Sequence, residues 1–234
     1  MIDAGFTNET LAERLDINAR TVQRWVTLAR LPQPEHRTAV AALVEADEAA
    51  LWPPEDRNPT GVITVHPSRA AIPASTWARL LTAATDRVEV LAWAATFFHQ
   101  LQPRLADQLA AAAARGVRVR LCFGDPAGEA VERREHEEGP FLGPGVLAAK
   151  IRVSLAYVRP ALEVPGVEVR LHDVVVYASL FRYDDQMIAN PHVWSRPASE
   201  NPALHLRTGS LLGAYAASFD AVWDTAKPWD GETQ

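Results

Sequence analysis

Apolar residues recur at two different spacings along this chain. In residues 10–26, TLAERLDINARTVQRWV, the spacing is helical: Leu11, Ala12 and Leu15 share one face, and Val22, Trp25 and Val26 share another at i, i+3, i+4. Asp16-Ile17-Asn18 interrupts the two stretches, with Ile17 as an apolar anchor between them and Asn18 as a good N-cap for the second helix. Thr38–Leu51 predicts a closing helix whose charges, Glu45, Asp47 and Glu48, are solvated. From residue 61 the pattern changes. Runs rich in β-branched and aromatic residues predict strands at Val62–Val65, Val88–Trp93, Val117–Phe123, Val167–Leu171, Val174–Arg182, Met187–Trp194 and Leu204–Arg207. Helical stretches lie between them at Ser75–Thr85, Pro103–Arg115, Glu129–Glu138, Val146–Leu162 and Leu212–Thr225. The strand–helix–strand order from 88 to 123 predicts a parallel pair joined by a crossover. Tyr183-Asp184-Asp185 predicts a hairpin turn.

These patterns divide the chain. Residues 1–51 read as a small all-α helix-turn-helix domain. Residues 52–60, WPPEDRNPT, carry three prolines and read as a linker, because proline removes a backbone donor and biases the residue before it away from helix. Residues 61–229 alternate strands and helices, and 230–234 form a tail. The expected fold class is α/β: a small all-α domain followed by a mixed-sheet α/β domain with helices packed on the sheet.

Composition narrows the function classes. A chain of 234 residues buries enough surface to need neither disulfide nor metal. The net charge of -6 argues against a protein that coats nucleic acid non-specifically, but not against a local basic reading head. Arg14, Arg20, Arg24, Arg30 and Arg37, set against Asp16 and Glu35, supply such a local positive excess. Cys122 is the lone cysteine, no apolar run is long enough to span a membrane, and MIDAGFTNETLAERL has no secretory pattern. A cytoplasmic protein without membrane contact is expected.

The two N-terminal helices and their short turn have the geometry in which a second helix enters the DNA major groove. Leu11-Ala12, Ile17, and Thr21-Val22 with Trp25 resemble the helix-turn-helix of Xre/Cro-type regulators. The resemblance implies DNA contacts from Asn8, Ala19, Arg20, Thr21, Gln23 and Arg24. Arg20 is the base reader, since arginine bonds guanine O6 and N7 together. That family has a full helix before this pair, and here only MIDAGFTN precedes it. The preceding helix is therefore expected to be shortened, or to begin before the first residue given. The competing reading is a helical docking or dimerisation bundle that touches no DNA.

Residues 167–194, VEVRLHDVVVYASLFRYDDQMIANPHVW, and the final aromatic helix around Tyr215, Phe219, Val222 and Trp223 resemble the phospholipase D-like fold. Active members carry His-x-Lys, then Asp five residues after the lysine, then a Gly-Ser pair. Here Tyr177 stands in place of the histidine and Ser179 in place of the lysine. Asp184 keeps the aspartate, and Pro191-His192 replace Gly-Ser. A tyrosine hydroxyl is a poor nucleophile near neutrality, and Ser179 brings no cation to a phosphoryl group. The resemblance implies a degenerate site with no catalytic residue. Tyr177 and Ser179 share a strand face in this reading, and His192 and His205 reach it from neighbouring strands. With Asp184 they make a candidate pocket for a small polar or phosphate-bearing ligand, or a structural remnant of an ancestral site. His172 and Arg182 flank it. No metal site is expected, since the histidines lack ligand spacing, and no cofactor. Gly124-Asp125-Pro126 reads as a turn, or as a ligand site at a strand end; Trp93, Phe97 and Phe98 read as core, or as the wall of a pocket; and Glu129–Glu138 reads as a solvated, charge-rich helix or lid.

The whole arrangement resembles a class of actinobacterial regulator-like proteins. It implies a homodimeric, sequence-specific transcriptional regulator acting on double-stranded DNA, with a ligand-sensing or dimerisation domain. The alternatives are a phosphodiesterase or nuclease of the phospholipase D superfamily targeted by its helix-turn-helix, and a protein-interaction adaptor.

Overall fold

The computed structural model describes residues 6–27, 32–51, 60–138 and 142–232. Most of the expected linker, the segment holding Arg30, the first five residues and the last two lie outside the described residues. The chain divides into two units, Met1–Pro59 and Thr60–Gln234.

In the first unit, threonines start helix α1 (Asn8–Arg14). Thr7 Oγ1 accepts the Thr10 N–H at 3.2 Å, and Thr10 Oγ1 accepts the Thr7 N–H at 2.9 Å. The helix stops at Leu15, and Asp16 turns the chain with φ 53. Helix α2 (Ala19–Thr27) begins where the Asn18 carboxamide oxygen accepts the Arg20 N–H at 2.8 Å. Leu11, Ala12, Val22 and Val40 are the buried core of this unit, with Leu15, Ile17 and Trp25 packed against them. Val26, expected on the buried face, is 50% exposed. The expected closing helix is two helices, α3 (Pro34–Leu43) and α4 (Glu48–Leu51). Pro34 starts the first of them a turn early, and Glu45, at φ 50, breaks the run. Glu48 is not simply solvated: it pairs with Arg37 at 3.3 Å and accepts the Thr38 hydroxyl at 3.0 Å.

In the second unit the strands are β1 (Val62–His66), β2 (Arg87–Ala92), β3 (Arg118–Gly124), β4 (Val167–His172), β5 (Ala178–Tyr183), β6 (Gln186–Pro191), β7 (Ala203–Arg207) and β8 (Lys227–Pro228). They form one mixed sheet in the order β1-β7-β6-β5-β2-β3-β4-β8. Strands β2, β3 and β4 are parallel to one another, and the other pairings are antiparallel. Helices α5 (Ala74–Ala83), α6 (Thr96–Leu101), α7 (Leu105–Ala114), α8 (Glu129–Glu138), α9 (Val146–Val158) and α10 (Ser210–Thr225) complete the unit. It is the α/β class expected, a helical unit followed by a mixed sheet with packed helices.

Several boundaries differ from the sequence pattern. Strand β5 starts at Ala178, four residues later than expected, so Tyr177 lies outside it. Strand β6 ends at Pro191, which has no N–H to continue the ladder, and Trp194 beyond it is 71% exposed. Pro160 ends α9 early and the chain continues as a 3-10 turn, Arg159–Glu163.

The two sheet faces differ. On one, Phe181 meets Trp77 of α5 at 5.1 Å and Phe97 of α6 at 5.2 Å between ring centroids, both edge-on. On the other, Glu89 of β2 lies between Arg120 of β3 and Arg182 of β5 and pairs with both. Helix α10 covers that face, with Arg120 over the Phe219 ring at 4.8 Å and Arg170 over Trp223 at 4.6 Å.

Candidate functional site

Helix α2 presents a polar, basic surface at its start. Arg20, Gln23 and Arg24 are exposed, and the Arg20 and Arg24 guanidiniums make no ion pair among the described residues. Asn8, Glu9, Asn18, Ala19, Arg20 and Gln23 line one concavity of about 390 Å³. Ala19 and Thr21 are half-buried, and Ala19 packs against the unit's core. The α1–α2 packing thus gathers Asn8, Ala19, Arg20 and Gln23 around one hollow, while Thr21 and Arg24 do not line it.

In the second unit, the sheet's pairing decides which residues meet. Because β2, β3 and β4 run parallel and β5 runs against β2, the ends of β2–β4 share an edge with the start of β5. The ends of β6 and β1 and the start of β7 lie at the same edge. Edges of this kind are where open α/β sheets hold ligands. A cleft of about 380 Å³ opens here, lined by Arg69, Trp93, Phe97, Lys150, Ser179 and Ser199 among others.

Ser179 and His192 are the expected site residues that the structure joins. Ser179 Oγ is 3.0 Å from His192 Nε2, and His192 Nδ1 is 3.0 Å from the Val176 carbonyl oxygen. A carbonyl only accepts, so Nδ1 carries the proton, Nε2 accepts, and the Ser179 hydroxyl donates to it. Burial and then the Arg134 charge push the His192 pKa down to about 4, with Arg69 acting the same way and the Val176 bond opposing. The ring is neutral at pH 7.

The other expected residues lie elsewhere. The Tyr177 side chain is 82% exposed, so it does not share a buried face with Ser179. Asp184 sits at the far end of β5 in the hairpin turn, at φ 53. Its carboxylate accepts the N–H groups of Thr85, Asp86 and Arg87, each at 2.9 Å, and the Thr85 hydroxyl at 3.1 Å. Burial alone raises its pKa, but those donors outweigh burial and hold it below the usual carboxylate value. His205 stands opposite Ile188, its Nε2 3.1 Å from Gln186 Oε1. Burial lowers its pKa, aided by His66, Arg79 and Arg207. His172 is fully buried against Trp93 at 5.2 Å, and burial brings its pKa down to about 4.

Gly124 is a packing residue: a Cβ there meets Val131 Cγ2 at 2.9 Å. Asp125 forms the turn after it, its carboxylate accepting the Ala127 N–H at 3.0 Å. Cys122 is buried, which pushes its thiol up to about 12. The expected solvated helix α8 is partly an internal brace. The Glu135 carboxylate accepts the N–H groups of Gly145, Leu147 and Ala148 at the start of α9, and Arg134 pairs with Glu138 at 2.7 Å. A larger hollow of about 740 Å³ over α8, lined by Glu129, Glu132 and His136, holds none of the expected residues.

Sequence reasoning missed Arg69 and Lys150. Arg69 lies in a 3-10 turn just after β1, its guanidinium 3.8 Å from the Phe97 ring centroid. That guanidinium makes no hydrogen bond or ion pair among the described residues. Burial lowers its pKa to about 10, and the Glu138 charge only partly offsets this. Trp93 leaves its indole N–H unpartnered among the described residues. Among the described residues no group of His, Cys, Asp and Glu suits a metal ion, and no helix is long and apolar enough to cross a membrane.

No curated protein matches the chain. Among solved structures it is similar to a phospholipase D family member, Nuc from Salmonella typhimurium, at 13% identity and a TM-score of 0.45. That match covers 71% of this chain and 96% of the other. It is also similar to TrmBL2, an archaeal chromatin protein described with a novel mode of DNA binding, at 13% identity and a TM-score of 0.44. There the match covers 91% of this chain and 70% of the other. Residues 59–229 match the family model described as Domain of unknown function (DUF5919), and the chain belongs to that family.

Proposed function

We propose that this chain is a sequence-specific DNA-binding transcriptional regulator whose second unit senses a small polar or phosphate-bearing ligand. One observation carries the first half of that reading. The start of α2 exposes Arg20, Gln23 and Arg24 with no internal ion pair among the described residues, while Leu11, Ala12 and Val22 tie the helix to a buried core. A groove-reading helix needs both properties: a fixed backbone and uncommitted polar side chains. Arg20 then reads guanine in the major groove and Gln23 adenine, while Thr21, Arg24 and Asn8 engage base edges or phosphates. Ala19 seats the helix. In this reading the two helices work as an Xre/Cro-type helix-turn-helix.

Two chains form a homodimer and read two half-sites about 34 Å apart. The cleft at the sheet edge supports the sensing role, since Arg69 and Trp93 line it and, among the described residues, neither the Arg69 guanidinium nor the Trp93 indole N–H has a hydrogen-bond partner. A ligand alters DNA affinity only if it binds the DNA-competent arrangement and its competitor unequally. Selection of bound duplexes from a random library by the full chain tests the reading. Enrichment of one two-fold symmetric motif supports it. Recovery of duplexes without a common motif refutes it.

A further inference from the structure

Ser179, His192 and the Val176 carbonyl form a hydrogen-bond chain: the hydroxyl donates to Nε2 and Nδ1–H donates to the carbonyl oxygen, each at 3.0 Å. Such a chain is what a serine nucleophile requires: a base within hydrogen-bond reach, and a third group fixing the base's tautomer. That hydrogen-bond chain stands on a cleft and not in closed core, because Ser179 lines the cleft that Arg69, Lys150, Phe97 and Leu147 also line. Arg69 brings a positive charge with no internal partner among the described residues, close enough to act on His192. The opposing acid, Glu138, is already held by Arg134.

We propose that Ser179 is the nucleophile and His192 the general base of a hydrolase for small carboxylic esters that carry a negative charge. This activity does not depend on whether α2 reads DNA. In the first step the Ser179 Oγ–H proton passes to His192 Nε2 as Oγ bonds the acyl carbon. The carbonyl π pair becomes an oxyanion, stabilised by the Arg69 guanidinium. The oxyanion collapses, the C–O bond to the alcohol breaks, and the leaving alkoxide takes the proton from Nε2. A water molecule then gives its proton to Nε2 as its oxygen attacks the acyl-serine carbon. On collapse Ser179 Oγ leaves with that proton, giving a carboxylic acid and a free serine.

The charge of the substrate follows from the same geometry. Burial first, then the Arg134 charge and last the Arg69 charge, oppose a proton on His192, so an unliganded ring is a weak base. An anionic ester bound at Arg69 and Lys150 offsets those charges when the imidazolium has to form. A neutral ester does not.

The test is labelling of the folded full chain with an alkyl fluorophosphonate, with the adduct located by peptide mass. One adduct per chain at Ser179 is expected, absent in Ser179→Ala. His192→Gln, whose amide takes no proton, is expected to slow labelling at least about a hundredfold. Circular dichroism and thermal melting establish that each variant is folded. If His192→Gln is not folded, His192→Asn takes its place. In parallel, the hydrolysis of nitrophenyl acetate is compared with that of the mono-nitrophenyl ester of succinate. The charged ester is expected to be preferred by at least about tenfold in kcat/KM, about 1.4 kcal/mol, and Arg69→Gln to abolish that preference. No adduct at Ser179 in the folded chain, or labelling that folded His192 variants leave unchanged, overturns the proposal. Equal hydrolysis of the two esters overturns the charge requirement.

Discussion

Glu89 on β2 reaches Arg182 on β5 at 3.2 Å while its own carboxylate is 1% exposed. The same carboxylate also pairs with Arg120 on β3, which in turn holds Asp220 of α10 at 2.8 Å. One buried acid therefore links three neighbouring strands and the helix over them. Removing one partner of such a group leaves uncompensated charge in the interior. Glu89→Ala is expected to lower unfolding free energy by about 3–5 kcal/mol. Urea unfolding followed by tryptophan fluorescence measures this, and a loss under about 1 kcal/mol contradicts the buried link.

Asp184 serves the chain itself by closing the β5–β6 hairpin onto the start of β2. Asp184→Ala is expected to cost about 1–2 kcal/mol, softened by water at this exposed end. Fluorophosphonate labelling at Ser179 is expected to stay unchanged in that variant. Unaltered stability with weakened labelling contradicts this placement.

Acid weakens the second unit through its buried histidines. His172 faces Trp93, the carbonyls of Ala92 and Val174, and the carboxylates of Asp125 and Asp173. Burial outweighs those acceptors and brings its pKa from 6.5 to about 4, as it does for His192. The folded state thus keeps each ring neutral in a range where the unfolded chain takes up the proton. The contribution is complete above pH 6.5 and falls away as the pH drops toward 4. Between about pH 7 and about pH 5, where most carboxylates stay ionised, a loss of about 1.5–2 kcal/mol per histidine is expected. His172→Gln is expected to flatten that slope by its own share. An unfolding midpoint in urea that does not change over this range contradicts the assignment.

Local signals found local structure. Asn18 starts α2, and Tyr183-Asp184-Asp185 turns the β5–β6 hairpin, because their side chains and backbone act within a few residues. Helix α6 escaped because Thr96–Leu101 is too short to show a period and has no side-chain cap. The pairing of Ser179 with His192 was legible, since one hairpin carries both. Arg69 was not. It joins the cleft because β1 lies beside β7 and the Arg69 N–H bonds the Asn201 carbonyl at 2.9 Å. Strand order of that kind is set by packing across the whole sheet, and no short stretch of sequence encodes it.

The recognition role of α2 is tested most directly by Arg20→Ala on the duplex selected by the unaltered chain. Fluorescence anisotropy at one fixed salt concentration gives the affinity for that duplex and for a scrambled one. A loss of about 1–3 kcal/mol on the selected duplex, with little change on the scrambled one, is the predicted result. Equal affinity of the variant for the selected duplex contradicts a base-reading Arg20, as does the same loss on both duplexes.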